Sequence, residues 1–210
     1  YKYMFAVLST SEYYLAPVLD IMADKAKAMG KNPSDLRISM AFENDGFSLD
    51  VRAGVVDKAK EHGMKIVIDD KLPADLSDMS ATLTKTKALK PDILLVSGHS
   101  KGAATAARQI EEMKIDVPLI AYTHCEAAKV QEKFPKSANG VMCPTQWLSN
   151  LPKRDDYFGD AAKWNSDFKK AYPEYSVVPY QTAQASAAVL VFKDAFERAN
   201  SFDRDKVRDA

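Results

Sequence analysis

A chain of 210 residues, 46% hydrophobic and 28% charged, is long enough to bury one large or two small cores and has too many apolar residues to stay disordered. Its 29 basic and 29 acidic side chains cancel, and no stretch interleaves Lys and Arg with aromatics, so the electrostatic footprint of a nucleic-acid binder is missing. The longest apolar run, residues 185–192, falls far short of the roughly 18 to 20 residues that a membrane-spanning helix needs.

Residues 3–8 (YMFAVL) predict an isolated strand, and residues 11–29 a helix. From residue 36 onward, short apolar runs alternate with amphipathic ones. Leu36–Phe42 reads as a strand. Gly46–Gly63 then carries Leu49, Ala53, Val56 and Ala59 at helical spacing and ends on a glycine suited to a C-terminal cap. Strand 65–68 precedes a helix over 78–89 with Met79, Leu83 and Thr86 on one face, and strand 92–97 precedes a helix over 102–114. Strand 118–121, a helix over 126–134 and strand 140–143 complete the series. Strands separated by single helices predict βαβ units, hence an α/β fold with a doubly wound parallel sheet. Ligands of such sheets sit beyond the carboxyl ends of the strands, which singles out residues 43–48, 69–77, 97–101, 122–125 and 144–147.

After Cys143 the pattern changes. Pro144, Pro152 and the charged run 153–156 mark an exposed connection, followed by helices over 157–172 and 180–200. The second is apolar nearly all round from Ala183 to Phe192 and is expected to be buried. The opening Tyr-Lys-Tyr-Met and the charged close, 203–210, read as cut ends of something longer. Cys125 and Cys143 have neither CxxC nor zinc spacing, which argues against a metal site. Whether they are two thiols or one disulfide stays open.

Residues 94–105 (LLVSGHSKGAAT) contain Gly98-His99-Ser100-Lys101-Gly102, a literal match to the G-x-S-x-G nucleophile elbow. Its partners are wrong. The only histidine after Ser100 is His124, and Asp116, which lies between them just before a strand, falls at the wrong end of the sheet. A phosphate loop fails because Gly102 is followed by Ala103 and Ala104 in place of Lys and a hydroxyl. Adjacent His124 and Cys125 point apart, which disfavours a Cys-His nucleophile. Tight-turn geometry and close helix packing account for the glycines, while His99 and Ser100 are expected to face the crevice. His62, just before Gly63, reads as a helix-end histidine favourable to the macrodipole.

Residues 38–67 (ISMAFENDGFSLDVRAGVVDKAKEHGMKIV), 72–80 (LPADLSDMS), the Pro91-Asp92 strand and the Tyr-led, Ala-rich stretch 178–192 together resemble the type I periplasmic solute receptors of ABC transporters, the leucine/isoleucine/valine-binding kind. The order and spacing of these segments carry the likeness over essentially the whole chain. The resemblance implies that residues 10–145 are the second lobe of a two-lobe receptor. Residues 1–9 and 146–210 would be a crossover strand and helices that pack on the first lobe, whose opening βαβ units are absent. It also implies a non-enzymatic periplasmic protein without cofactor, binding a small solute between lobes and delivering it to a membrane permease. A cytoplasmic ligand-sensing regulator on the same fold is the alternative.

The family's second-lobe contacts carry over to Phe47, to His99 or Ser100, and to Thr123, with Tyr180 opening the late helix and Trp147 as a second aromatic platform. Thr123 stands where branched-chain receptors place an acid that meets the ligand ammonium. That departure argues for an aromatic or aliphatic carboxylate, an amide or a modified amino acid as ligand. Glu126 is close enough in sequence to stand in for the acid.

Overall fold

The computed structural model describes residues 2–126 and 130–210. The chain divides into two compact units, Thr10–Pro144 and Tyr1–Ser9 with Thr145–Ala210.

In the larger unit, β1 (Arg37–Glu43), β2 (Lys65–Leu72), β3 (Ile93–Ser97) and β4 (Leu119–Tyr122) form one sheet in the order β2-β1-β3-β4. All three pairings are parallel. The central strands β1 and β3 are buried almost throughout, which is why they read as continuous apolar runs instead of alternating ones. From β1 the chain moves outward to β2, then returns to the other side of β1 as β3. The carboxyl ends of β1 and β3 therefore flank a topological switch point.

Helices α1 (Ala16–Ala28), α2 (Gly46–His62), α3 (Ser80–Leu89) and α4 (Ser100–Glu112) cover the sheet. Met79, Leu83, Ala103, Ala106, Ala107 and Ile110 from the α3 and α4 side share a core with Ala41, Leu94, Val96 and Tyr122. Side chains alternate along a strand, so Met40, Phe42 and Leu95, fully buried but outside that cluster, point to the opposite face. α2 ends at Gly63, whose φ of 70° is the left-handed cap that its position predicts. Its buried face differs from the expected one. Ser48, Val51, Val55 and Ala59 turn inward, while Ala53 is exposed. Two valines offer the sheet more apolar area than one alanine can. His62 at the end of α2 sits 2.7 Å from Asp20 of α1, a structural pairing away from the strand ends.

The fifth strand shrinks to one parallel bridge between Ala121 and Met142. Beyond it, Cys143 is bonded to Cys125, and Pro144 has no N–H to extend the ladder. The helix expected over 126–134 is described as α5 (Val130–Lys133), with 127–129 outside the described residues, and α6 (Pro135–Ala138) follows.

The smaller unit holds a two-residue antiparallel pair, β5 (Arg154–Asp155) and β6 (Gly159–Asp160), then α7 (Ala161–Ala171), α8 (Tyr180–Ala199) and α9 (Arg204–Asp209). Asp160 caps α7 by accepting from the Lys163 N–H. Trp147, Trp164, Phe168 and Tyr172 form a chain of ring contacts with centroids 4.8 to 5.3 Å apart. Two expectations are corrected here. Residues 3–8 are not a strand: among the described residues no strand pairs with them, and Tyr3, Met4, Phe5 and Leu8 are exposed. α8 is not buried either. Only Tyr180 is fully covered, and Val189 and Phe192 are 63% and 59% exposed.

Candidate functional site

The sheet delivers three turns to one place: residues after β1, after β3 and after β4. Asp45 precedes α2 in extended conformation and caps it, accepting from the Ser48 N–H at 2.9 Å. That cap starts the helix at Gly46 and sets Phe47 on its first turn. The half-buried Phe47 ring meets Tyr14 edge-on at 5.2 Å and packs against His99 at 5.7 Å and His124 at 5.2 Å. The two imidazoles lie 5.5 Å apart. One aromatic and two imidazole rings thus form a continuous wall at the switch point.

The turns after β3 and β4 are tied to each other. The Thr123 hydroxyl donates to the Gly98 carbonyl at 2.7 Å and accepts from the Gly98 N–H at 3.1 Å. His124 Nδ1 lies 3.1 Å from the same carbonyl. A carbonyl only accepts, so Nδ1 carries the proton, and in the neutral ring Nε2 is left as an acceptor. Burial pushes the His124 pKa down, opposed by the bond to Gly98, so the ring is neutral at physiological pH. His124 has a left-handed φ of 59°, a conformation that costs a non-glycine residue about 1 kcal/mol and that the surrounding bonds must hold.

Beneath the wall lies a carboxyl group that the sequence reading passed over. Glu43, the last residue of β1, is 1% exposed. Its Oε2 accepts from the His99 N–H at 3.4 Å, and its carboxyl also hydrogen-bonds Asp45. Asp45 in turn lies 3.7 Å from His99 Nε2. Burial first, then the bond to Asp45, raise the Glu43 pKa to about 7. Donor atoms of Glu43, Asp45 and His99 all lie within 4.8 Å of one another, which sets the two acids side by side.

The elbow glycines are explained by this carboxyl group. A Cβ on Gly98 or on Gly102 would stand 2.8 Å from Glu43 Oε1, and on Gly102 also 3.0 Å from Leu76. Neither glycine has positive φ, so close approach, and not turn geometry, requires them. His124 is engaged with Gly98 and does not activate Ser100.

Of the residues singled out in the sequence, Phe47 and His99 come together in the wall. Ser100 is exposed at the first position of α4, and Thr123 is 1% exposed with its hydroxyl spent on Gly98. Trp147 and Tyr180 belong to the smaller unit, where Trp147 packs edge-on to Trp164 at 5.1 Å and Tyr180 opens α8. Glu126 is half-buried. Burial raises its pKa, and its Oε1 finds no hydrogen-bond partner among the described residues. His124, in one of the turns that the strand pattern singles out, is in the wall with them, and Tyr14, Asp45 and Glu43 join the site from structure. The available signal was positional: each of the last two falls at the carboxyl end of the first strand of the βαβ series.

A family model described as "Periplasmic binding protein" matches residues 1–210. The chain is similar to Leu/Ile/Val-binding protein homolog 8 of Brucella abortus (strain 2308), at 22% identity over 112 residues, 53% of this chain and 28% of that protein. It is similar in fold to the leucine binding protein LivK from Thermotoga maritima, with a TM-score of 0.78 at 20% identity, covering 99% of this chain and 56% of that one. A fatty acid ABC transporter substrate-binding protein from Thermomonospora curvata gives 0.77 at 16% identity, covering 99% and 52%. The chain spans about half the length of these two structures.

Proposed function

The chain belongs to the periplasmic binding protein family, and from that premise we propose that it is the solute-binding part of an ABC importer, holding a small organic molecule at the carboxyl ends of β1, β3 and β4. The observation that carries this reading is the wall of Phe47, His99 and His124 at the switch point, where apolar ring faces adjoin an imidazole acceptor. In this proposal the solute is amino-acid-like or an aromatic or aliphatic carboxylate. It lies against Phe47 and within reach of His99 and Ser100, while Thr123 holds the turn that presents His124. The residues from Thr10 to Pro144 act as the second lobe of a two-lobe receptor, and the rest of such a receptor supplies the other wall and the contact with a membrane permease. The Cys125–Cys143 disulfide supports a periplasmic location, since such bonds persist in oxidising compartments.

The same proteins serve as guides to chemistry: a leucine binder has an ammonium to satisfy, whereas a fatty-acid binder has none. Thr123, without charge, favours the second kind. Calorimetric titration with L-leucine, benzoate and octanoate tests the proposal. Octanoate or benzoate is expected to bind more tightly than L-leucine. Phe47→Ala should weaken that binding roughly tenfold, the equivalent of about 1.4 kcal/mol of ring contact. Binding by none of the three, or binding indifferent to Phe47→Ala, would overturn it.

A further inference from the structure

We propose that Glu43 is the positioning residue of the histidine-bearing turn after β3: its buried carboxyl, set beside Asp45, fixes how His99 is presented to a solute, and that presentation changes when the carboxyl ionises. The inference deepens the solute-binding reading and depends on it only for its consequence in affinity.

Three independent contacts converge on this one side chain. The His99 N–H donates to Oε2, the space that side chains at residues 98 and 102 would fill is taken by Oε1, and Asp45 links the carboxyl group to the His99 ring. A side chain that merely filled core would need none of the three. Glutamate at 1% exposure is seldom tolerated without a partner. Here the neighbours are another acid and a backbone N–H at the start of α4, and among the described residues no cation bonds the group directly. The geometry is therefore bistable. With the proton present, Glu43 and Asp45 attract each other through it, and Asp45 stays between Glu43 and His99. With the proton gone, two carboxylates face each other in a buried space and repel, while the His99 N–H and the positive end of α4 gain a full negative charge to bind.

The charged and titratable groups around Glu43 come from each neighbouring turn. Asp45 lies after β1, and Asp75 lies after β2 with Lys101 of α4 bound to it at 3.1 Å. His99 lies after β3, and His124 lies after β4, its charge coupled to His99 and Asp45. Both neighbouring acids favour the protonated form of Glu43, and burial does so most, bringing its pKa to about 7. The switch falls within the pH range a periplasm meets.

The test needs no solute for its first arm. Carboxyl-carbon NMR of the 210-residue chain is expected to show Glu43 titrating near pH 7, with the His99 backbone amide proton following the same inflection as its hydrogen bond strengthens. In Glu43→Gln, which keeps the shape of the side chain, that inflection should vanish from the His99 amide. A Glu43 carbon titrating near 4.5, the ordinary value, would overturn the proposal without reference to any variant. So would an inflection at the His99 amide that survives Glu43→Gln. The second arm is benzoate affinity at pH 6 and pH 8. A buried charge about 10 Å away at an effective dielectric of about 20 is worth roughly tenfold, so the anion should bind more weakly at pH 8, and Glu43→Gln should remove about that factor. A fall in affinity that is the same in both proteins would overturn the link between Glu43 and binding. Absence of benzoate binding would count against the solute reading alone, with the first arm still deciding the role of Glu43.

Discussion

Gly54→Ala should destabilise the larger unit by about 2 kcal/mol, against the direction that helix propensity alone gives. Gly54 is in the middle of α2, where alanine in place of glycine ordinarily gains about 1 kcal/mol. In this fold, however, the 3-10 turn Ser11–Tyr13 crosses the helix there. A Cβ at position 54 would stand 2.0 Å from the Glu12 carbonyl oxygen and 2.7 Å from its carbon. Those are backbone atoms, which cannot rotate away, and overpacking of this kind costs about 3 kcal/mol. The difference decides the sign. The consequence reaches the site, because the displaced turn leads directly into Tyr14, the edge-on partner of Phe47. Urea unfolding of the variant, followed by circular dichroism, measures the loss. A variant as stable as the parent would show that the turn does not lie against α2.

Reduction of the Cys125–Cys143 bond should lower stability by about 3 kcal/mol. The bond closes a loop of sequence separation 18, and restricting an unfolded chain over a loop of roughly that length is worth about that much. It also ties the turn carrying His124 to the residue after Met142, whose bridge to Ala121 joins the sheet. Chemical unfolding with and without a reductant, and of Cys125→Ser with Cys143→Ser, should give the same decrease. The double variant should in addition exchange the amide hydrogens of 123–125 faster, since the left-handed His124 loses one of its supports. Equal stability in both redox states would contradict this account.

The parallel sheet was legible because its strands start as short apolar runs separated by helices, although β2 runs past the predicted 65–68 through Asp69, Asp70 and Lys71 to Leu72. Gly63 and the Met79, Leu83, Thr86 face behave as their spacing demands. What failed did so for lack of tertiary information. Residues 3–8 have strand composition but, among the described residues, pair with no strand, and α8 has core composition yet leaves Val189 and Phe192 exposed. The bridge at Met142 ended where a disulfide and a proline meet, which an apolar pattern does not encode. At the site, Phe47 and His99 could be picked from their places after strands. Glu43 could not, because a carboxylate closing an apolar strand looks like the point where the chain returns to water. Its burial becomes visible only with the two glycines that make room for it, and these had resembled a nucleophile elbow.

Amide NMR of the labelled chain during titration with octanoate, benzoate and L-leucine tests the solute-binding face most directly. The account predicts saturable shifts confined to residues 43–48, 97–101 and 122–126, with Phe47, His99 and His124 moving most. Saturable shifts elsewhere, with those three turns silent, would contradict it.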